Sequence, residues 1–176
     1  NSIDLSGEGG LVWVKGRSGT SGSSAWGGDI AHNLFDSSAP QKAMNSAKSD
    51  ARTNYGAAGV NFTSTGFTVG YNGFNDLNYS TFPYVSWTFR KAKKFFDIVT
   101  YTGNGSTSRS ISHNLGSAPG SIFIKQTSGS GENWIVWHRS ISNVSNGEII
   151  YLNATDSQSS MNGKFDGANL PTSTTF

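Results

Sequence analysis

Seven short runs of β-branched, aliphatic and aromatic residues recur along this chain, at residues 11–15 (LVWVK), 67–71 (FTVGY), 84–89 (YVSWTF), 96–101 (FDIVTY), 121–125 (SIFIK), 134–138 (WIVWH) and 148–152 (EIIYL). Successive side chains of a strand point to opposite faces, so runs of this length and alternation suit strands packed on one side. Between them lie residues 16–28, 72–78, 103–108 and 128–131, whose Gly, Asn and Ser tolerate the positive φ that tight turns need. The pattern predicts an all-β chain, a β-sandwich of jelly-roll or lectin-like kind with long loops at one end.

Residues 40–52 (PQKAMNSAKSDAR) resist this reading, because Ala43, Ala47 and Ala51 recur every four residues behind Pro40, a helical spacing. An internal likeness argues the other way. Sliding the chain so that Leu5 falls on Leu115 also lays Ser2 on Ser112, Gly10 on Gly120 and LVWVK on SIFIK, with Lys15 on Lys125. With loop-length changes, Met44-Asn45 falls on Leu152-Asn153 and residues 62–67 (FTSTGF) fall near 172–176 (TSTTF). The chain therefore reads as two pseudo-repeated units, 1–92 and 93–176, folding as two small sandwiches or as one pseudo-symmetric one. Residues 42–46 are expected to be a strand, with a short helix over 47–55 as the alternative.

Charged residues make up 14% of the 176, against a usual value of about 25%, and there is no cysteine. Disulfide frameworks, thiol catalysis and cysteine zinc sites are excluded. With a net charge of +2, the basic residues are scattered except around Arg90, Lys91, Lys93 and Lys94, so nucleic-acid binding is not expected. That stretch is either a solvated turn between two strands or a patch for an anionic glycan or phosphate. No apolar run approaches the roughly 20 residues that span a bilayer, and no signal-peptide order opens the chain, so membrane insertion is not expected either. Starting at Asn1 and stopping in a strand-like run at Phe176, the chain is expected to be a fragment.

Reactive constellations are not evident. His32, His113 and His138 stand apart, none with a second ligand-type residue at metal-site spacing, and read as polar strand or loop histidines. The acidic residues Asp29, Asp36, Asp50, Asp76, Asp97, Asp156 and Asp166 are dispersed, and nothing selects the facing pair that a glycosidase needs. No GxSxG elbow and no lysine-bearing phosphate loop occurs. Residues 72–78 (NGFNDLN) offer oxygen ligands for calcium without the twelve-residue helix-flanked loop, and a plain turn is the stronger reading. Asn61, Asn78, Asn104, Asn143 and Asn153 open N-x-Ser/Thr triplets, for which an Asn-, Ser- and Thr-rich composition is sufficient cause. The expectation is a protein without catalytic residues, metal or cofactor.

Aromatic side chains carry the one positive signal, since sugar rings stack on them while neighbouring amides hold the hydroxyls. Trp26 lies in a polar loop (SSAWGGD) and is either an exposed contact or an anchor folded onto the core. Tyr71, with Phe74 and Tyr79, sits in the next long loop. Alternation separates Trp134 from Trp137 onto opposite faces, so one is expected to be core and the other accessible. The carbohydrate-binding candidates are therefore Trp26, Tyr71 and Trp134, while Trp13 and Trp87, in apolar strands, are expected in the core.

The order GLVWVKGRS, HNLFDS, FTSTGFTVG, YVSWTFRKA, FFDIVTYTGNGS, SISHNLGSAPGSIFIK, NWIVWHRS and IIYLNAT resembles an uncharacterised repeat-bearing domain family of tailed-phage structural proteins, over nearly the whole chain. Its most specific piece runs from Val99 to Lys125 (VTYTGNG, HNLG, APGSIFIK). The resemblance implies an appendage role in the virion and no known chemistry, and the first expectation is a tail-fibre or appendage module that displays loops to a host-surface glycan or spaces modules that do. A capsid decoration or tail-assembly adaptor with protein contacts alone is the alternative, and a glycan depolymerase a third. It further implies other virion proteins as partners and a homo-oligomer, trimeric if the parent is a fibre. The insertions at 16–28 and before Tyr84 depart from the family's pattern, and binding specificity is commonly built in such loops.

Overall fold

Alternation produces a strand with two working faces in β1 (Gly10–Gly16), where every second residue is buried: Val12 and Val14 enter the core while Leu11, Trp13 and Lys15 point the other way. The computed structural model describes residues 2–17, 32–70, 77–78, 82–106, 108–141, 147–160, 165 and 170–176. β1 lies within an antiparallel sheet with β2 (His32–Asp36), β3 (Lys42–Asn45), β4 (Thr53–Asn54) and β7 (Tyr84–Arg90), in the order β4-β3-β2-β1-β7. Register lines Val12, Phe35 and Ala43 up on one face and Trp13, Leu34 and Met44 on the other.

The first of these faces packs under the hairpin of β5 (Val60–Thr63) and β6 (Gly66–Val69). Val12, Phe35 and Val60 are fully buried there with Leu5 and Leu77, and Phe62, Phe67 and Val69 close the rim. Each such side chain contributes roughly 1.5–3 kcal/mol by leaving water. The approach is tight: a Cβ on Gly70 would collide with the carbonyl oxygen of Ala57, and the Gly70 N–H donates to Gly59 O at 3.2 Å.

A second antiparallel sheet holds β8 (Ser121–Ile124), β9 (Ile135–His138), β10 (Glu148–Tyr151) and β11 (Ser159–Ser160) in the order β11-β10-β9-β8. Ile122, Trp137 and Ile149 are its buried centre, with Phe165 and Phe176 against them. The chain's last residues are stitched on by paired bonds between Ile111 and Phe176, at 2.7 and 3.0 Å.

The molecule is an all-β sandwich, as the patterning predicts. Its connections differ from a jelly roll, in which successive strands change sheets. Here β1 to β4 and β8 to β11 are successive antiparallel neighbours, and only the β5–β6 hairpin leaves its sheet before β7 returns beside β1. The expected strand at 42–46 is β3. The helix alternative over 47–55 is not realised; the helical turn among the described residues is a 3-10 turn at Gly56–Ala58. Asn45 Oδ1 accepts the Ala47 N–H at 2.8 Å, a local turn that competes with helix, and Ala43 serves as a core residue. Residues 96–101, expected as a strand, join no sheet beyond a single Ala92–Phe96 bridge.

Candidate binding surfaces

Trp134 joins the two sheets. Its indole is 3% exposed and packs on the outer face of the first sheet against Leu34 and Met44, with Leu11, Trp13 and Leu152 around it. The ring N–H donates to Asn45 O at 2.8 Å, while the backbone N–H donates to Asn153 Oδ1, itself held by Asn133. Trp134 therefore offers no face to a sugar, contrary to expectation, and Trp137 is equally buried, stacked on Phe165 at 5.7 Å. Alternation does separate the two tryptophans, but each is covered, Trp137 by its own sheet's core and Trp134 by the first sheet.

Polar contacts seal this junction. The Lys125 ammonium donates to Ser49 O at 2.8 Å, and burial pushes its pKa down against the opposing pull of Asp50 and Glu132. Arg52 donates its backbone N–H to Thr127 O, and its guanidinium forms an ion pair with the buried Asp36. Gly131, at φ +81°, comes so close that a Cβ would strike Ser49 O.

Trp87 reverses its expectation too: it is 46% exposed. Among the described residues β7 is the last strand of its sheet, so Trp87 has Trp13 beside it at 5.6 Å on one flank and no described strand on the other. Phe89, Phe95 and Phe96 cluster further along, with Phe95 the most exposed. The basic stretch here is a closed turn: Ala92 and Phe96 exchange backbone bonds, Lys94 takes φ 63°, and Lys91 pairs with Asp97 at 3.0 Å. Burial works against the charge of Asp97, yet the N–H groups of Asn114 and Ile98 and the Lys91 ammonium together hold its carboxyl below the usual carboxylate value.

His113 is a buried structural residue. Its Nδ1 accepts the Leu115 N–H at 3.2 Å, which leaves the ring proton on Nε2, 3.3 Å from Thr172 O, and the ring stacks on Phe176. Among the described residues no group of three His, Asp or Glu gathers as a metal site.

One groove remains. Ser37, Gln41, Lys42, Asn54 and Asn61 surround the half-buried ring of Phe62 where β3 and β4 meet the hairpin. Gln41 Nε2 donates to Asn61 Oδ1 at 3.5 Å, and Asn54 Oδ1 accepts the Gly56 N–H at 3.0 Å. Among the described residues, the side-chain N–H groups of Asn61 and Asn54 and the side-chain carbonyl of Gln41 have no partner and are open to a ligand. In sequence only the triplet opened by Asn61 marked this place. Trp26 and Tyr71, like Phe74 and Tyr79, lie outside the described residues.

Two antiparallel sheets joined through a buried tryptophan, with a hairpin over one face, define an all-β sandwich module. Residues 3–176 match the family model described as Domain of unknown function (DUF7483), and the chain belongs to that family. No curated protein and no solved structure matches it.

Proposed function

We propose that this chain is a non-enzymatic binding segment of a tailed-phage virion protein, a tail-fibre or appendage module on the particle surface that attaches to a host-surface glycan. The groove over Phe62 carries the reading. Amide donors and acceptors from Gln41, Asn54 and Asn61 around one ring match a sugar's hydroxyls and its apolar C–H face. The motif run from Val99 to Lys125 supports the phage assignment through its resemblance to virion proteins. Trp26 and Tyr71 stand as further loop-borne sugar contacts.

A host-glycan array probed with the folded chain tests this. Binding to at least one surface polysaccharide is expected, with a tenfold or greater loss in a Gln41→Ala/Asn61→Ala variant whose circular dichroism is unchanged. Binding that ignores both substitutions refutes the groove as the site. The exposed aromatics Trp87, Phe95 and Phe123 favour a second reading, an architectural adaptor or capsid decoration with protein contacts alone. An empty array together with binding to an isolated virion protein selects it.

A further inference from the structure

β8 occupies the place in the second sheet that β1 occupies in the first, at one end of a four-strand meander, with Ile122 facing the core as Val12 does. β1, however, is flanked on both sides, by β2 and β7, whereas among the described residues β8 pairs with β9 alone. In the first sheet Trp87 stands directly opposite Trp13. Phe123, which falls on Trp13 when SIFIK is laid on LVWVK, is 54% exposed and has no strand opposite it on that side. An open edge with an exposed aromatic at its centre is a template for another strand.

The chain also contains a run of strand-forming residues that joins no sheet. Residues 98–102 (IVTYT) are all β-branched or aromatic, the residue types that favour strands. Among the described residues no backbone group of Val99, Thr100 or Tyr101 has a hydrogen-bond partner, and Tyr101 is 45% exposed. Its ring lies under the Arg109 guanidinium at 5.8 Å. Both ends of this arm are fixed. Asp97 accepts the Asn114 N–H at 2.8 Å at one end, and Ile111 is paired with Phe176 at the other. The segment between joins no sheet.

We propose that residues 98–102 of one copy add antiparallel to the free edge of β8 in a second copy, with Tyr101 opposite Phe123. In that register Thr102 lies opposite Ile122 and Thr100 opposite Ile124. It reproduces the β1–β7 pairing, where Thr88 lies opposite Val12 and Ser86 opposite Val14. Every copy has one such arm and one β8 edge, so reciprocal exchange uses both and closes the pairing at β8. The inference is independent of what the Phe62 groove binds.

The chain has no cysteine, so two introduced thiols report the register without background. Tyr101→Cys and Phe123→Cys proteins are prepared separately, mixed under mild oxidation and resolved by mass. Residues directly opposed in an antiparallel ladder have Cα atoms about 4.5–5.5 Å apart, within disulfide reach. The mixed disulfide is expected to form at least tenfold faster than one between Thr100→Cys, whose side chain points to the other face, and Phe123→Cys. The unmodified chain is expected to sediment as an oligomer, and Phe123→Asp as a monomer with unchanged circular dichroism. A mixed cross-link no faster than the Thr100→Cys control overturns the proposal. So does a chain that is monomeric at every concentration, or a Tyr101→Cys/Phe123→Cys double variant that closes within one monomer.

Discussion

Removing the indole of Trp134 separates what holds the two sheets together from what holds each one up. A Trp134→Ala substitution leaves a void among Leu34, Met44, Leu11 and Trp13 of the first sheet and Leu152 in the turn after β10. Truncating a buried tryptophan costs about 3–5 kcal/mol. For a chain of this size each kcal/mol moves the melting temperature by about 2–4 °C, so a fall of roughly 6–20 °C is expected. Trp134→Phe dissects that figure. It preserves most of the ring's packing and loses the N–H bond to Asn45 O, a loss of about 1 kcal/mol.

Urea unfolding followed by far-UV circular dichroism is the assay. Among the described residues, the first sheet and its hairpin keep a core of seven buried residues and the second sheet three. Trp134→Ala should therefore convert one transition into two, with the second sheet melting first. A Trp134→Ala chain within 1 kcal/mol of the parent, unfolding in one step, would refute the junction as the coupling element. A Trp134→Phe change as damaging as Trp134→Ala would refute packing as its main source.

Two further outcomes follow from the charges. Arg52→Met leaves Asp36 buried with only the Ser38 N–H and hydroxyl as donors, which should cost about 3–5 kcal/mol in urea unfolding, while adding Asp36→Asn should recover part of the loss. Asp97 has a folded pKa below its ordinary value, so its contribution is complete above that ordinary value and disappears as pH falls through the folded one. Melting temperature measured from pH 5 down to pH 2 should drop less steeply in Asp97→Asn than in the parent, and identical slopes would reject the role given to the Asn114, Ile98 and Lys91 donors.

What was legible in the sequence is what repeats over short distances. Two-residue alternation located β1, β7, β8, β9 and β10, and the likeness of the two halves placed residues 42–46 in a strand against a four-residue alanine spacing. β5 escaped because VNFT alternates too weakly to announce itself and becomes a strand by pairing with β6, Val60 opposite Val69. The groove escaped because its amides come from the turn before β3, from β4 and from β5, and only the folded sheet brings them round Phe62. Residues 96–101 had the composition of a strand, but composition does not supply a neighbour.

Tryptophan shows why exposure was the hardest quantity to read. Four tryptophans lie in or next to strands with similar apolar surroundings, yet their environments differ by how many layers cover them. Trp137 faces the second sheet's own core, Trp134 faces the other sheet, Trp13 lies mid-sheet between strands, and Trp87 stands on the last strand with one flank open. A local pattern assigns a side chain to a face, whereas coverage of that face depends on which distant strand arrives there. Phe123 follows the same rule: it occupies Trp13's position on a strand that, among the described residues, pairs on one side alone, and it is 54% exposed.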